Sequence, residues 1–510
     1  MNISAKLLSK YLFYLLCFFL PLIQYLNKNN LQEFIAEDIF YFIISLFILI
    51  ILLTVIYIYF FKKYNYPLIF LILIFNITFI FLPFRDFFLI NLSFPNYLSI
   101  FLSFLLYGFL IFSPYLFLKK KIFKDFLVRL SIAYFIINFS IIFIDKNSLI
   151  YNFSEIIKEE VIVSDIPVSN NQLIKNNNTN ISNIYFIIVD AMVPFYLAKE
   201  FGIINDDEIK KELDFYKKNN FLYIENSYAN YDTTQLALAG IFSLDYFTKP
   251  PNELTYKKSN VFPVILYHND NLPLLQVLKF KKIKFYYHGN SWGPCRQSLM
   301  VNCHFSKNVQ ILNRVLLSFY SDTPFFFLTR ILKKIFKDLD QGENRQLGNY
   351  QESFSKKEND NEKKFVFIHH YGSHTPYSRD ENCNKKKYAD DDFNGYKNSY
   401  RCTLKEIKNF INFLNKSDPN SLVIMQADHG YKAPEKKIIK HSAPIINLMK
   451  YPENCKKYEV PKSNINSIIF TLNCAYNLDM EYKKFIFYED GYDFPNAKFI
   501  LKKRSISDLK

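Results

Sequence analysis

The sequence predicts two parts of different class. The first is an α-helical membrane domain of five transmembrane helices over residues 1–145. After a linker at 146–183 comes an α/β domain over residues 184–510 with a central, mainly parallel sheet. Three observations predict this. The 510 residues exceed what one core usually organises, which argues for more than one part. Half are hydrophobic, 18% are aromatic and only 21% are charged, a balance that excludes a disordered chain. The apolar excess also crowds ahead of about residue 145, beyond which short β-branched runs alternate with helical patterns.

In the first part, five apolar stretches at 8–26, 39–61, 68–92, 98–118 and 126–144 each approach the length of a spanning helix. Cations gather at Lys6 and Lys10, at Lys62 and Lys63, and from Lys119 to Arg129, whereas the intervening loops carry no cationic excess. By the positive-inside rule this expects a multi-pass protein of the inner (plasma) membrane with everything after Asp145 on the extracytoplasmic side. The net charge of +15 then requires no nucleic acid.

Cys17 lies in the first stretch. The remaining cysteines fall into local couples, 295 with 303, 383 with 402 and 455 with 474, which read as disulfides of an oxidising compartment. Reduced thiols or a metal cluster are the alternative, but the spacings are not C-x-x-C. The Asn-rich stretch 146–183 reads as the linker.

In the second part the candidate strands are 184–189, 283–287, 365–368, 422–425 and 444–448, and the candidate helices 206–219, 234–242 and 404–414. Ligands of such a sheet gather beyond the carboxyl ends of its strands. There the sequence places Asp190 after the first strand, His369, His370 and His374 after the third, and Asp428-His429-Gly430 after the fourth. Carboxylates and imidazoles at one sheet edge suit a divalent cation, zinc above all, with manganese as the alternative. A single Asp at a strand end is more often a turn or cap residue; the coincidence of three such ends points to a site. Thr233 and Thr234 open a short apolar helix. Either serves as its N-cap, and a threonine hydroxyl at a helix N-terminus beside a metal also serves as a nucleophile toward a phosphorus or sulfur ester.

The segment His369-x-x-Gly372-Ser373-His374-x-Pro376-Tyr377, and Asp428-His429-Gly430 followed twelve residues after His429 by His441, resemble the membrane-anchored enzymes of the sulfatase and alkaline phosphatase superfamily. The likeness is to phosphoethanolamine transferases and lipoteichoic-acid-synthase-like phosphoglycerol transferases, and it covers nearly the whole chain. It implies a metal held by Asp190, Thr234, Asp428 and His429, with Thr234 preferred over Thr233 because a small residue, Ala237, follows three positions later. It further implies catalytic roles for Thr234, His374 and His441, and substrate contacts from His288, Arg296, His369 and Trp292. His288, Trp292 and Arg296 lie in Tyr287–Arg296, a segment similar to the phosphate-binding segments of both enzyme groups. The implied activity is transfer of a phospholipid headgroup, phosphoethanolamine or similar, through a threonine-linked intermediate to a surface glycan or lipid, with ester hydrolysis as the alternative.

The pattern also departs from that family. Asp190 stands where those enzymes carry Glu, and Ala237-Leu238-Ala239-Gly240 replaces a Ser-x-Pro-Cys stretch. The motif that sulfatases convert to formylglycine is absent around Thr234. A last segment, 323–337, is rich in aromatics and cations and reads either as a lipid-surface helix or as an amphipathic helix packed on the domain.

Overall fold

The six residues of β1 (Ile184–Val189) are apolar and buried at every position. That unbroken pattern marks a strand covered on both faces, and it sets the architecture. The computed structural model describes residues 181–246, 253–254, 272–289, 301–305, 363–375, 377–390, 392–432, 442–493 and 498–509, with scattered positions 20, 98, 101–103, 105, 125, 129, 132–137 and 347. Contacts divide the chain into two compact units, residues 1–160 with 257–260 and 310–337, and residues 161–256 with 261–309 and 338–510. Every element below belongs to the second.

β1 pairs in parallel with β6 (Lys364–His370) on one side and β9 (Leu422–Gln426) on the other. The sheet extends through β4 (Lys284–Gly289) to β5 (Val301–Phe305), both parallel. On the far edge β10 (Asn447–Lys450) runs antiparallel to β9, and β2 (Leu222–Tyr223) antiparallel to β10. The seven-stranded order is β2-β10-β9-β1-β6-β4-β5. A small sheet joins β3 (Glu253–Leu254) to the hairpin of β11 (Phe487–Asp493) and β12 (Lys498–Arg504), and β7 (Tyr377–Arg379) pairs with β8 (Lys385–Asp390).

Helices cover both faces. On one lie α3 (Thr234–Ser243), α4 (Pro273–Phe280) and α6 (Asn464–Tyr476), packed on Ile184, Phe186, Ile188, Phe365 and Phe367. On the other lie α1 (Phe195–Glu200), α2 (Asp206–Lys218) and α5 (Phe393–Ser417), packed on Ile187, Val189, Val366 and Ile368. α2 begins where Asn205 and Glu208 exchange backbone–side-chain bonds of 2.9 Å, which satisfies two orphan amides of its first turn. α5 carries a stripe of buried residues, Tyr396, Tyr400, Thr403, Ile407 and Phe410, at helical spacing.

Phe186, Phe367 and Tyr287 lie in register on adjacent strands. Phe367 stacks on Phe186 at 5.6 Å and on Tyr287 at 5.8 Å, and Phe242 of α3 leans on it at 5.0 Å. This row ties α3, the helix that Thr234 opens, to the middle of the sheet. Phe367→Ala is expected to lower the free energy of unfolding by about 3–5 kcal/mol, measured by chemical denaturation.

The strands at 184–189, 283–287, 365–368 and 422–425 are found with small changes of boundary. The one expected at 444–448 is displaced to Asn447–Lys450, and the helix expected at 404–414 runs from Phe393 to Ser417. Two of the expected disulfides form, Cys383–Cys402 and Cys455–Cys474. The third couple involves Cys295, outside the described residues.

The five-helix membrane domain is corrected. Among the described residues no helix is long and apolar enough to cross a membrane. Apart from the scattered positions given above, the five apolar stretches, and with them Cys17, lie outside the described residues. The expectation rested on length, because a run of about 20 apolar residues suffices to cross a bilayer as a helix. The inner-membrane, multi-pass placement and its orientation rested on those spans and are withdrawn with them. The linker up to residue 180 and the segment 323–337 also lie outside the described residues.

Candidate active site

The site is assembled where β1, β6 and β9 end and α3 begins. After β1 the chain turns sharply at Ala191, whose φ of 59° is left-handed and unfavourable for a residue with a Cβ. The turn is held because Asp190 N donates to His370 O at 2.9 Å and Ala191 N donates to Asp428 Oδ1 at 3.1 Å. Two strand ends are thereby fastened together through the acids themselves.

Asp190, Asp428 and His429 are buried and can each turn one ligand atom into a common space, all within 4.8 Å of one another. His429 Nε2 lies 3.7 Å from Asp190 Oδ1 and 3.6 Å from Asp428 Oδ2. His429 Nδ1 lies 2.7 Å from the Gly430 carbonyl and donates to it, which leaves the Nε2 lone pair facing the acids. Neither Asp190 Oδ1 nor Asp428 Oδ2 has a hydrogen-bond partner. Two orphaned anionic oxygens under complete burial are costly unless a cation joins them, so the donor set fits a divalent metal. Burial alone raises the Asp190 carboxyl, but His374, His369 and His429 outweigh it and hold the group well below the usual carboxylate range.

Thr233 takes the N-cap position of α3 without a side-chain cap bond, and Thr234 is the first residue of the helix. The Thr234 hydroxyl lies 3.3 Å from His429 Nε2, so it is turned to that imidazole and not spent on capping. α3 reaches this place by close packing: a Cβ on Gly240 would lie 3.0 Å from Tyr231 Cε2 and 3.2 Å from Ile465 Cδ1. A larger residue at 240 would push the helix away from α6.

Of the residues expected from the sequence, the structure thus brings together Asp190, Thr234, Asp428 and His429. His369, expected to touch substrate, is fully buried, and its Nε2 lies 3.1 Å from Asp190 Oδ2. Its contact is with the acid. His374 is half-buried at the turn closed by His374 N donating to Tyr371 O at 3.2 Å. His288 is buried in β4, on the same side of the strand as Tyr286, whereas Phe285 and Tyr287 face the layer that holds α3. It therefore points away from Thr234. Trp292, Arg296 and His441 lie outside the described residues.

A second group, Cys383, Cys402 and Glu406, also clusters, but the disulfide engages both sulfurs and leaves one carboxylate as donor. It is not a metal site in the oxidised protein. Sequence reasoning missed Tyr371, whose ring stands 4.4 Å from that of His369 and 5.9 Å from that of His374. It also missed Glu406, and the contact that His370 makes with it behind them. Only the doubled histidine at 369–370 signalled this, since neighbours on a strand face opposite sides.

Residues 213–465 match the family model described as Sulfatase, a span that contains Thr234, the 369–374 segment and Asp428-His429 but begins after Asp190. No curated protein matches the sequence. Among solved structures, the chain is similar to the zinc-complexed C-terminal periplasmic domain of EcEptC from Escherichia coli. That match has 14% identity, covers 64% of this chain and 93% of that one, and has a TM-score of 0.38. It is also similar to the integral membrane protein lipooligosaccharide phosphoethanolamine transferase A from Neisseria meningitidis, at 13% identity over 76% and 70% with a TM-score of 0.37. A third is the lipoteichoic acid synthase LtaP from Listeria monocytogenes, at 14% identity over 63% and 79% with a TM-score of 0.35. The chain has a sulfatase-domain fold over the matched span, and among the described residues Asp190, Asp428 and His429 form a group that could hold a metal ion.

Proposed function

We propose that the protein is a metal-dependent transferase that moves a phosphoethanolamine-type headgroup from a phospholipid donor, by way of Thr234, to a hydroxyl or phosphate of a surface glycan or lipid. The observation that carries this reading is the Thr234 hydroxyl, first in its helix and 3.3 Å from His429 Nε2, beside two carboxylate oxygens without partners. The resemblance of the 369–377 segment and of the His429-to-His441 spacing to phosphoethanolamine transferases supports the choice of headgroup.

Asp190, Asp428, His429 and Thr234 would hold the cation, which when bound lowers the pKa of a coordinated hydroxyl and offsets charge on phosphoryl oxygens. In the first step Thr234 Oγ1, its hydroxyl already ionised with the proton released to solvent, forms a bond to phosphorus and the bond from phosphorus to the lipid alcohol breaks. The leaving oxygen takes a proton from His374 or His441. In the second step the acceptor oxygen displaces Thr234, and the same imidazole removes the acceptor's proton. The α3 N-terminus directs its amides toward the anionic group on Thr234.

The sulfatase family match favours one other reading, hydrolysis with water as acceptor. The two are separated by intact mass of the full chain after incubation with phosphatidylethanolamine and zinc. A phosphoethanolamine adduct on the protein but not on Thr234→Ala is the expected result. Zinc-dependent cleavage of a simple phosphodiester with water as sole acceptor and no adduct selects the hydrolase. Neither adduct nor cleavage refutes both.

A further inference from the structure

The segment that carries His374 is seated on α5, on the side of the sheet away from Thr234. His369 faces Asp190; the next residue, His370, faces the opposite way, with its Nε2 2.9 Å from Glu406 Oε2. Glu406 is 8% exposed and also meets Arg379 Nη1 at 3.4 Å. One turn earlier on α5, Thr403 donates to Ser399 O at 2.8 Å and accepts from Ser373 Oγ at 3.3 Å. Between these contacts the backbone passes so close that a Cβ on Gly372 would lie 2.3 Å from Thr403 Oγ1 and 2.5 Å from His370 Nε2. The neighbouring residue Cys402 is tied by its disulfide to Cys383, just beyond β7. The turn is thus held at His370, Gly372 and Ser373 by one stretch of helix, and His374 is the next residue.

We propose that Glu406 is a positioning residue for His374, acting through His370 and the 371–373 turn. Glu406 touches neither the acids nor Thr234. Its carboxylate lies against His370 and Arg379 at the two ends of the loop, one on β6 and one on β7, and so limits the positions open to the turn that carries His374. The proposal rests on the reading of His374 as the group that serves the leaving oxygen, but its first test does not depend on turnover.

That test is the rate at which diethyl pyrocarbonate modifies His374 in the zinc-loaded full chain, read by peptide mass. In Glu406→Ala the released turn is expected to expose His374 and raise the rate several-fold, with Glu406→Gln, which keeps an oxygen toward His370, returning it to within about twofold of the parent. Thr403→Val, a milder change that removes the seat of Ser373, is expected to move the rate in the same direction, and it serves if Glu406→Ala fails to fold. The second readout is kinetic. A displaced His374 lowers kcat on a phosphodiester by about ten- to a hundredfold and leaves KM nearly unchanged, because misplacement by about 1 Å acts on the transition state. Unchanged His374 labelling in folded Glu406→Ala and Thr403→Val overturns the proposal, as does a loss of melting temperature with kcat per folded molecule intact. If the parent protein cleaves no phosphodiester, the function proposed above fails while the labelling still decides the role of Glu406.

Discussion

Thr234→Ala is expected to lower turnover of any phosphodiester substrate by about four orders of magnitude or more, with the fold intact. The side chain is 3% exposed and makes its hydrogen bond with His429, so its loss leaves only a small cavity at a helix end. If Thr234 is the nucleophile, its removal leaves the metal ligands, the helix N-terminus and the histidines in place, and groups of that kind alone retain only a residual acceleration over water. Thr233→Ala is the matched control: it sits at the cap without a side-chain bond, and its loss is expected to change the rate little. Steady-state rates for the two variants, with melting curves beside them, check this. If Thr234→Ala kept parental turnover, the threonine would not be the nucleophile.

The second large effect concerns the acids. With a cation present at a thousand times its dissociation constant, the protein is expected to gain about 4 kcal/mol, or roughly 5–10 °C in Tm, and to lose it on chelation. Asp428→Asn keeps the oxygen that accepts from Ala191 N but removes the charge from the orphaned Oδ2. Its Tm is therefore expected to be insensitive to zinc. Without zinc it is expected to melt higher than the metal-free parent, because two buried anionic oxygens no longer face each other uncompensated. Calorimetry with and without chelator gives both comparisons. A zinc-dependent Tm in Asp428→Asn equal to that of the parent would remove Asp428 from the ligand set.

What the sequence revealed and what it hid follow from the same physics. β1, β6 and β9 are covered on both faces and so read as unbroken apolar runs, each ending in the polar residue that matters. The antiparallel edge was displaced because Asn447 opens β10 with a polar side chain that is bonded to Ser227 in the interior. The first half of α5, FNGYKNSYR, is poor in helix formers, and its stability comes from Tyr396 and Tyr400 packed inside, which no local pattern announces. In β4 the run KFYYHG has no alternation to tell its faces apart, so the side of the strand that His288 takes was not legible in the sequence. Glu406 was invisible for another reason: its partners come from β6 and β7, and only the folded chain brings them to that helix.

The clasp between the ends of β1 and β9 has a consequence for biosynthesis. Ala191 N and the Asp428 carboxylate that receives it are 237 residues apart in the chain. Contacts of such separation form late, since the loop between them must be ordered first. A ribosome-bound chain, or any fragment stopped short of β9, holds Asp190 without Asp428 and His429. A cation that needs all three would thus be taken up only once the central sheet is complete, and its uptake would report that completion.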